Sequence, residues 1–203
     1  MKDPAHEIWI VRHGETEWSR TGRHTGRTDL PLTEAGERSA AALRRILGGR
    51  PFALVLSSPL ARARETCRLA GYGAEAQADD DLLEWDYGAY EGRTSAEIRR
   101  EREGWTIWTG GVPGGEAIEA VASRTEKVIA RAVAAGGDVL LFAHGHVLRI
   151  LTARWLGLAP RDGRLFALAT ASLGVLGEEN GTRVMRSWNA AAFSGPRRPA
   201  SRR

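Results

Sequence analysis

The stretch Ile8-Trp9-Ile10-Val11-Arg12-His13-Gly14-Glu15-Thr16 runs from an apolar, β-prone segment straight into a polar turn that carries a histidine. Far downstream the arrangement returns, where Val139-Leu140-Leu141-Phe142-Ala143 leads into His144-Gly145-His146. Short continuous apolar runs ahead of turn residues read as strands buried on both faces, as in parallel sheets. If these two strands lie parallel in one sheet, their carboxyl ends share an edge, and open α/β sheets place their ligands at that edge. His13 and His144 would then emerge together. Imidazole suits nucleophilic and proton-transfer work near neutral pH, and Arg12 beside the first histidine points to chemistry on an anion.

Working outward, short apolar runs alternate with longer helical stretches. A helix is expected from about Leu32-Thr33-Glu34-Ala35, with Thr33 as N-cap and Glu37 one place too late for a capping box. Ala40, Ala41, Leu43, Ile46 and Leu47 form its apolar stripe, and Gly48-Gly49 stops it. Phe52–Ser57 reads as the next strand, and Ser58-Pro59 as the entry to a helix with proline in its first turn. Asp79-Asp80-Asp81 reads as a solvated connector.

From Glu84 to Gly115 the periodicity weakens and aromatic residues and glycines crowd in, which suggests a partly helical excursion over one edge of the sheet. A long helix from about Glu116 to Ala135, a strand over 138–143, a helix from about Val147 to Leu156 and two late strands (Ser172–Leu176 and Arg183–Ser187) complete the pattern. Strands alternating with helices predict a three-layer α/β/α sandwich around a mostly parallel central sheet. We expect a single domain over residues 1–193, with 194–203 as a basic flexible tail.

Composition narrows the function. With 203 residues, 42% of them hydrophobic, the chain can bury a full core. No run reaches the roughly 20 apolar residues of a membrane span. The first residues lack the layout of a secretory signal, so a cytoplasmic location is expected. The net charge of +4 resides in the last seven residues, which hold four arginines and no acid. The rest is near neutral, which argues against a nucleic-acid partner. Cys67 is the single cysteine, excluding an internal disulfide and a cysteine-based zinc site, and it reads as a half-buried structural residue.

Four elements in order then carry the chemistry: Arg12-His13-Gly14-Glu15-Thr16 with Thr25-Gly26-Arg27-Thr28-Asp29; Ser57-Ser58-Pro59-Leu60-Ala61-Arg62-Ala63-Arg64-Glu65-Thr66; Glu84 ahead of Tyr87-Gly88 and Glu91-Gly92; and Ala143-His144-Gly145-His146. Together they resemble the histidine phosphatase superfamily, the phosphoglycerate mutase-like family, over about Glu7 to Ser187. The resemblance implies a phosphohistidine mechanism. His13 as neutral imidazole attacks phosphorus. Arg12 and Arg62 offer forked donors to the phosphate oxygens, and His144 donates to one of them. Glu84 protonates the leaving alkoxide and then takes a proton from water. Ser19, Thr25, Gly26 and Gly145 are the further expected substrate contacts.

No metal and no cofactor enters this scheme; Glu15, Asp86 and Glu91 match no common metal spacing and read as structural. Each reading has a competitor: Arg62 could pair with Glu65 on its own helix, and Glu84 could be a capping or surface acid. His24 could reach the pocket mouth or lie in solvent, and His146 could contact backbone or substrate. Trp85, Tyr87, Trp105 and Trp108 are candidate pocket walls. Gly114-Gly115-Glu116 reads as a helix N-terminus whose N–H groups could help hold an anion.

Mutases of the family carry a long basic insertion after the glutamate and tend to have asparagine where this chain has Ser19. Here only about sixty positions separate Glu84 from His144, and Arg99-Arg100 reads as a helical surface. The stretches around Ser19, Glu84 and His144 look closest to fungal sedoheptulose-1,7-bisphosphatase and bacterial acid phosphatases. That implies a phosphomonoesterase acting on small phosphorylated metabolites, sugar phosphates first. The alternatives are a cofactor-dependent phosphoglycerate mutase and a non-catalytic module that binds a phospho-ligand. Either a monomer or a homodimer fits the sequence.

Overall fold

The computed structural model describes residues 6–191; the basic tail expected over 194–203 lies outside them. In chain order the elements are β1 (Ile8–Arg12), α1 (Glu17–Thr21), α2 (Glu34–Leu47), β2 (Leu54–Ser57), α3 (Ala61–Leu69), β3 (Gln77–Ala78), α4 (Ser95–Glu101), α5 (Ile107–Gly110), α6 (Ile118–Ala134), β4 (Val139–Ala143), α7 (Gly145–Trp155), β5 (Ser172–Glu179) and β6 (Thr182–Ala191). The six strands form one sheet in the order β3-β2-β4-β1-β5-β6. Pairs β1–β4, β2–β4 and β2–β3 are parallel, and the closing hairpin β5–β6 joins β1 antiparallel.

The central strand shows why its sequence is apolar throughout. All five residues of β4 are buried. Val139, Leu141 and Ala143 point into one core with Val121, Val128 and Ile129 of α6 and Val147, Leu148 and Leu151 of α7. Leu140 and Phe142 point the other way, into a second core with Leu43 and Leu47 of α2 and Cys67 of α3. Successive strand side chains alternate between faces, so a strand covered on both sides has no polar position. The two cores are the two interfaces of a three-layer sandwich.

Helix ends follow local chemistry. Thr33 caps α2 by accepting from the Gly36 N–H at 3.0 Å, and Gly48 closes it in the left-handed conformation, φ +61°. Two expectations need correction. Pro59 precedes the Leu60 N-cap of α3 and so stands outside its first turn. The Asp79–Asp81 segment is not a solvated connector. Asp79 is buried, its carboxylate caps the turn by accepting from the Asp81 N–H at 2.9 Å, and both acids pair with Arg131.

The register of β1 on β4 sets the site. Arg12 lies opposite Ala143, and the His13 N–H donates to the Ala143 carbonyl at 2.9 Å. The two chains therefore leave the sheet side by side, His13 into a loop and His144 into the N-cap of α7.

Candidate active site

His13 and His144 stand with ring centroids 5.1 Å apart, both buried. Their hydrogen bonds define their tautomers. His13 Nδ1 lies 2.7 Å from the Gly14 carbonyl, an acceptor only, so Nδ1 carries the proton and Nε2 keeps its lone pair. His144 Nδ1 accepts from Arg62 Nε at 3.1 Å, so its proton is on Nε2, which donates to Ser58 Oγ at 2.8 Å. Burial holds both imidazoles well below the ordinary range, and the Arg12 and Arg62 guanidiniums push them further down. His13 thus keeps a free lone pair on Nε2, while the Nε2 N–H of His144 is taken by Ser58.

The two expected arginines behave differently. Arg12 gives Nη1 to the Leu168 carbonyl, while its buried Nε has no partner among the described residues. A buried, unpaired guanidinium N–H is costly unless a ligand takes it. Arg12 lies against the first turn of α7, where a Cβ on Gly145 would come within 3.2 Å of Cζ. Glycine is what lets the guanidinium lie there.

Arg62 is fully buried and does not pair with Glu65, which bonds Arg68 instead. Its Nη groups donate to the carbonyls of Thr28, Thr25 and Gly26 at 2.9, 3.1 and 2.9 Å. With Nε on His144 and Nη1 also facing the Asp29 carboxylate at 4.0 Å, the expected fork is turned onto protein, and what Arg62 leaves for an anion is its charge. Arg64 is exposed.

Glu84 enters from the opposite wall, between the turn Asp80–Leu82 and the excursion. Its Oε1 accepts from the Trp85 and Val147 N–H groups, both at 2.9 Å, and Oε2 accepts from the His146 N–H at 3.0 Å. The carboxylate thereby satisfies N–H groups of the first turn of α7, which has no side-chain cap of its own.

A cavity of about 180 Å³ is lined by Arg12, His13, Glu84 and Gly145 together with Ser19, Thr25, Arg23, His24, Tyr87, His146 and Arg149. Ser19 reaches its wall, but the hydroxyl accepts from the Thr16 N–H and donates to the Thr16 carbonyl in a capping box. Gly26 stands behind the wall. Its N–H donates to Glu91 and a Cβ there would meet the Trp85 carbonyl at 2.6 Å, so it shapes the loop and offers the cavity no donor. Glu91 is structural, accepting from both Gly26 and Thr28 N–H groups.

His24 lies in the cavity wall, buried, and desolvation lowers its pKa to about 4. His146 bonds the Tyr87 hydroxyl through Nδ1 at 2.6 Å. Of the four aromatic walls expected, only Tyr87 lines this cavity. Trp105 meets His24 edge to face, and Trp85 and Trp108 meet His146 in the same way. The N–H groups of Gly115 and Glu116 are spent on Val112 and Asp86 carbonyls and hold no anion.

Arg149, Ser58 and the Tyr87–His146 pair were not singled out from the sequence. A signal existed for Arg149: it stands three residues after His146 on α7 and so shares its face. Its guanidinium lies 4.5 Å above the Trp108 ring, with Nε and Nη2 on the Gly163 and Arg164 carbonyls and Nη1 unpaired among the described residues. Ser58 is legible only through the fold, since it meets a histidine 86 positions away. No cluster of potential metal ligands occurs among the described residues.

A family model described as "Histidine phosphatase superfamily (branch 1)" matches residues 8–191. The chain belongs to the histidine phosphatase superfamily. It is thereby a phosphatase-class enzyme with a phosphoglycerate mutase-like fold. The chain is 40% identical to an acid phosphatase of Mycobacterium tuberculosis, covering 89% of this chain and 90% of that protein. It is 37% identical to sedoheptulose 1,7-bisphosphatase of Saccharomyces cerevisiae, covering 73% and 67%. The solved structure of an open reading frame from M. tuberculosis superposes with TM-score 0.88 at 38% identity, over 93% of this chain and 99% of that one. No helix among the described residues is long and apolar enough to cross a membrane.

Proposed function

We propose that this chain hydrolyses phosphate monoesters of small metabolites, sugar phosphates foremost, through a phosphohistidine on His13. The observation that carries the reading is the His13 Nε2 lone pair in a cavity it shares with Arg12, whose buried Nε has no partner among the described residues, with the neutral His144 ring packed against His13. Arg12 holds a phosphate oxygen, His144 donates to another as its Nε2 N–H exchanges Ser58 for phosphate, and Arg62 adds its charge. Gly145 admits Arg12 to this position, while Ser19 and Thr25 border the phosphate.

In the first step the His13 Nε2 lone pair forms the N–P bond as the ester P–O bond breaks, and the leaving alkoxide takes a proton from Glu84. In the second, water attacks phosphorus, Glu84 takes back a proton, the N–P bond breaks and orthophosphate leaves. Oε1 already accepts two N–H bonds and Oε2 only one, so Oε2 is the oxygen that carries the proton.

The same reading sets the substrate class. Arg149 lines the cavity with an Nη1 unpaired among the described residues, suited to a second anionic group such as that of a sugar bisphosphate. Tyr87, His24 and His146 supply hydroxyl, imidazole and ring surfaces for the carbon skeleton between.

The test is phosphate release, in EDTA, from p-nitrophenyl phosphate, sugar mono- and bisphosphates and 3-phosphoglycerate, by wild type and His13→Ala. Release that depends on His13 and favours one sugar phosphate supports the reading. No release from any of them, restored by adding 2,3-bisphosphoglycerate, would replace it with a mutase.

A further inference from the structure

We propose that the Arg124–Glu116 ion pair is a positioning device for Glu84, which sets the orientation of the proton-donating carboxyl; the inference rests on the reading of Glu84 as the acid. Arg124 projects from the middle of α6 and is buried. Its Nε and Nη2 fork onto Glu116 at 2.8 and 3.0 Å. Its Nη1 donates to the carbonyls of Asp81, at 2.9 Å, and Leu83.

Glu116 completes the frame from the other side. Its carbonyl accepts from the Trp85 indole at 2.7 Å, its N–H donates to the Asp86 carbonyl at 3.0 Å, and Oε2 lies 3.4 Å from the Asp86 N–H. The pair thus fastens residues 81, 83, 85 and 86, and Glu84 is the residue in their midst. Neither Arg124 nor Glu116 lines the cavity.

Two anchors therefore act on Glu84. The first turn of α7 fixes where the carboxyl sits, and the Arg124–Glu116 frame fixes the backbone from which it projects. The O–H of Oε2, on the one position of that oxygen that no backbone N–H occupies, must point at the leaving oxygen, and that direction depends on both anchors. Stability alone does not call for ions here, since a buried pair is often no better than apolar residues of the same volume. A pair that spends its remaining donors on the backbone beside the acid suits geometry instead.

The experiment compares kcat and KM for glycerol phosphate, an alkyl ester, and p-nitrophenyl phosphate, whose leaving group needs little protonation. The variants are Glu84→Gln, Arg124→Met, Arg124→Lys, Glu116→Gln and the double variant Glu84→Gln/Arg124→Met, each with a thermal melt. Arg124→Met should lower kcat on the alkyl ester ~10- to 100-fold with KM little changed, the scale of a displaced catalytic group, and p-nitrophenyl phosphate turnover by no more than about 3-fold. Arg124→Lys should recover part of the loss. In the Glu84→Gln background Arg124→Met should cost almost nothing further on the alkyl ester, because an absent acid cannot be misplaced.

Equal losses on both substrates in Arg124→Met, or losses that add to those of Glu84→Gln, overturn the positioning role while the acid reading stands. A Glu84→Gln variant with no leaving-group dependence overturns the acid reading and the positioning with it. If Arg124→Met does not fold, Arg124→Lys and Glu116→Gln decide by the same two-substrate ratio.

Discussion

The site is built from two halves that reach precision by different means. The half proposed to supply the nucleophile is carried by strand ends: His13 and His144 follow β1 and β4, whose register is set by a ladder of main-chain bonds, with β4 buried throughout. The half proposed to supply the acid is carried by a segment with little regular structure between β3 and α6, where Glu84, Trp85, Tyr87, Trp105 and Trp108 sit. There, side chains do the fastening, through Glu84 on α7, Arg124 and Glu116 on the backbone, and Glu91 on the loop at Gly26. Backbone in irregular conformation leaves N–H and C=O groups without ladder partners, and buried ones must find others. Replacing a strand end demands a new sheet, whereas replacing a loop fastener demands only a side chain.

That contrast predicts two kinds of loss. The largest is on the nucleophile side: His13→Ala should lower kcat at least ~1,000-fold on every phosphate ester, whatever its leaving group. Near-normal turnover in steady-state assays would remove the nucleophile assignment. On the acid side the loss should be selective. Glu84→Gln should cost ~100-fold or more on an alkyl phosphate and far less on p-nitrophenyl phosphate. A flat response across leaving groups would erase the distinction between the halves.

A smaller effect sharpens the contrast by separating chemistry from recognition. Arg149→Met should raise KM for a sugar bisphosphate about 10-fold, the order of one lost charge-assisted hydrogen bond, and leave p-nitrophenyl phosphate almost unchanged. Parallel losses on both substrates would place Arg149 with the reacting phosphate.

The smallest expected effect concerns pH. Burial holds His13, His144 and His146 well below the ordinary imidazole value, and His24 at about 4. Above about pH 6.5 these rings are neutral in folded and unfolded chains alike. Below it the unfolded chain binds protons that the folded one refuses, so stability falls as pH drops towards the folded values. Melting temperature should therefore decrease between pH 7 and 5, and His24→Gln should make the decrease shallower. An unchanged slope would show that His24 titrates normally in the folded state.

Much of the nucleophile half was legible because its signals are local. An apolar run before Arg12-His13-Gly14, the same before His144, and Thr33 ahead of a helical stripe each act through neighbours in sequence. The misreadings at Asp79 and Glu116 fall where neighbours are distant, whereas those at Gly115 and Ser19 turn on a neighbour three residues away. Asp79 is buried because Arg131 of α6 reaches it, and the Gly115 and Glu116 N–H groups are spent on carbonyls of the excursion. Ser19 reads as a phosphate donor until its hydroxyl is seen closing a capping box on Thr16.

The sequence by itself determined the alternation of strand and helix, the pairing of His13 with His144, and the set Arg12, Arg62, Glu84. Periodicity and motif order depend on residue type and spacing alone. Only the tertiary structure decided how those groups are bonded: Arg12 keeps its Nε unpaired among the described residues while Arg62 spends most of its donors on carbonyls, and Glu84 is held on α7 with Arg124 bonding the backbone beside it. The physical reason is that a hydrogen bond is a relation between two atoms. The sequence names each donor and acceptor, but the fold chooses which of them meet.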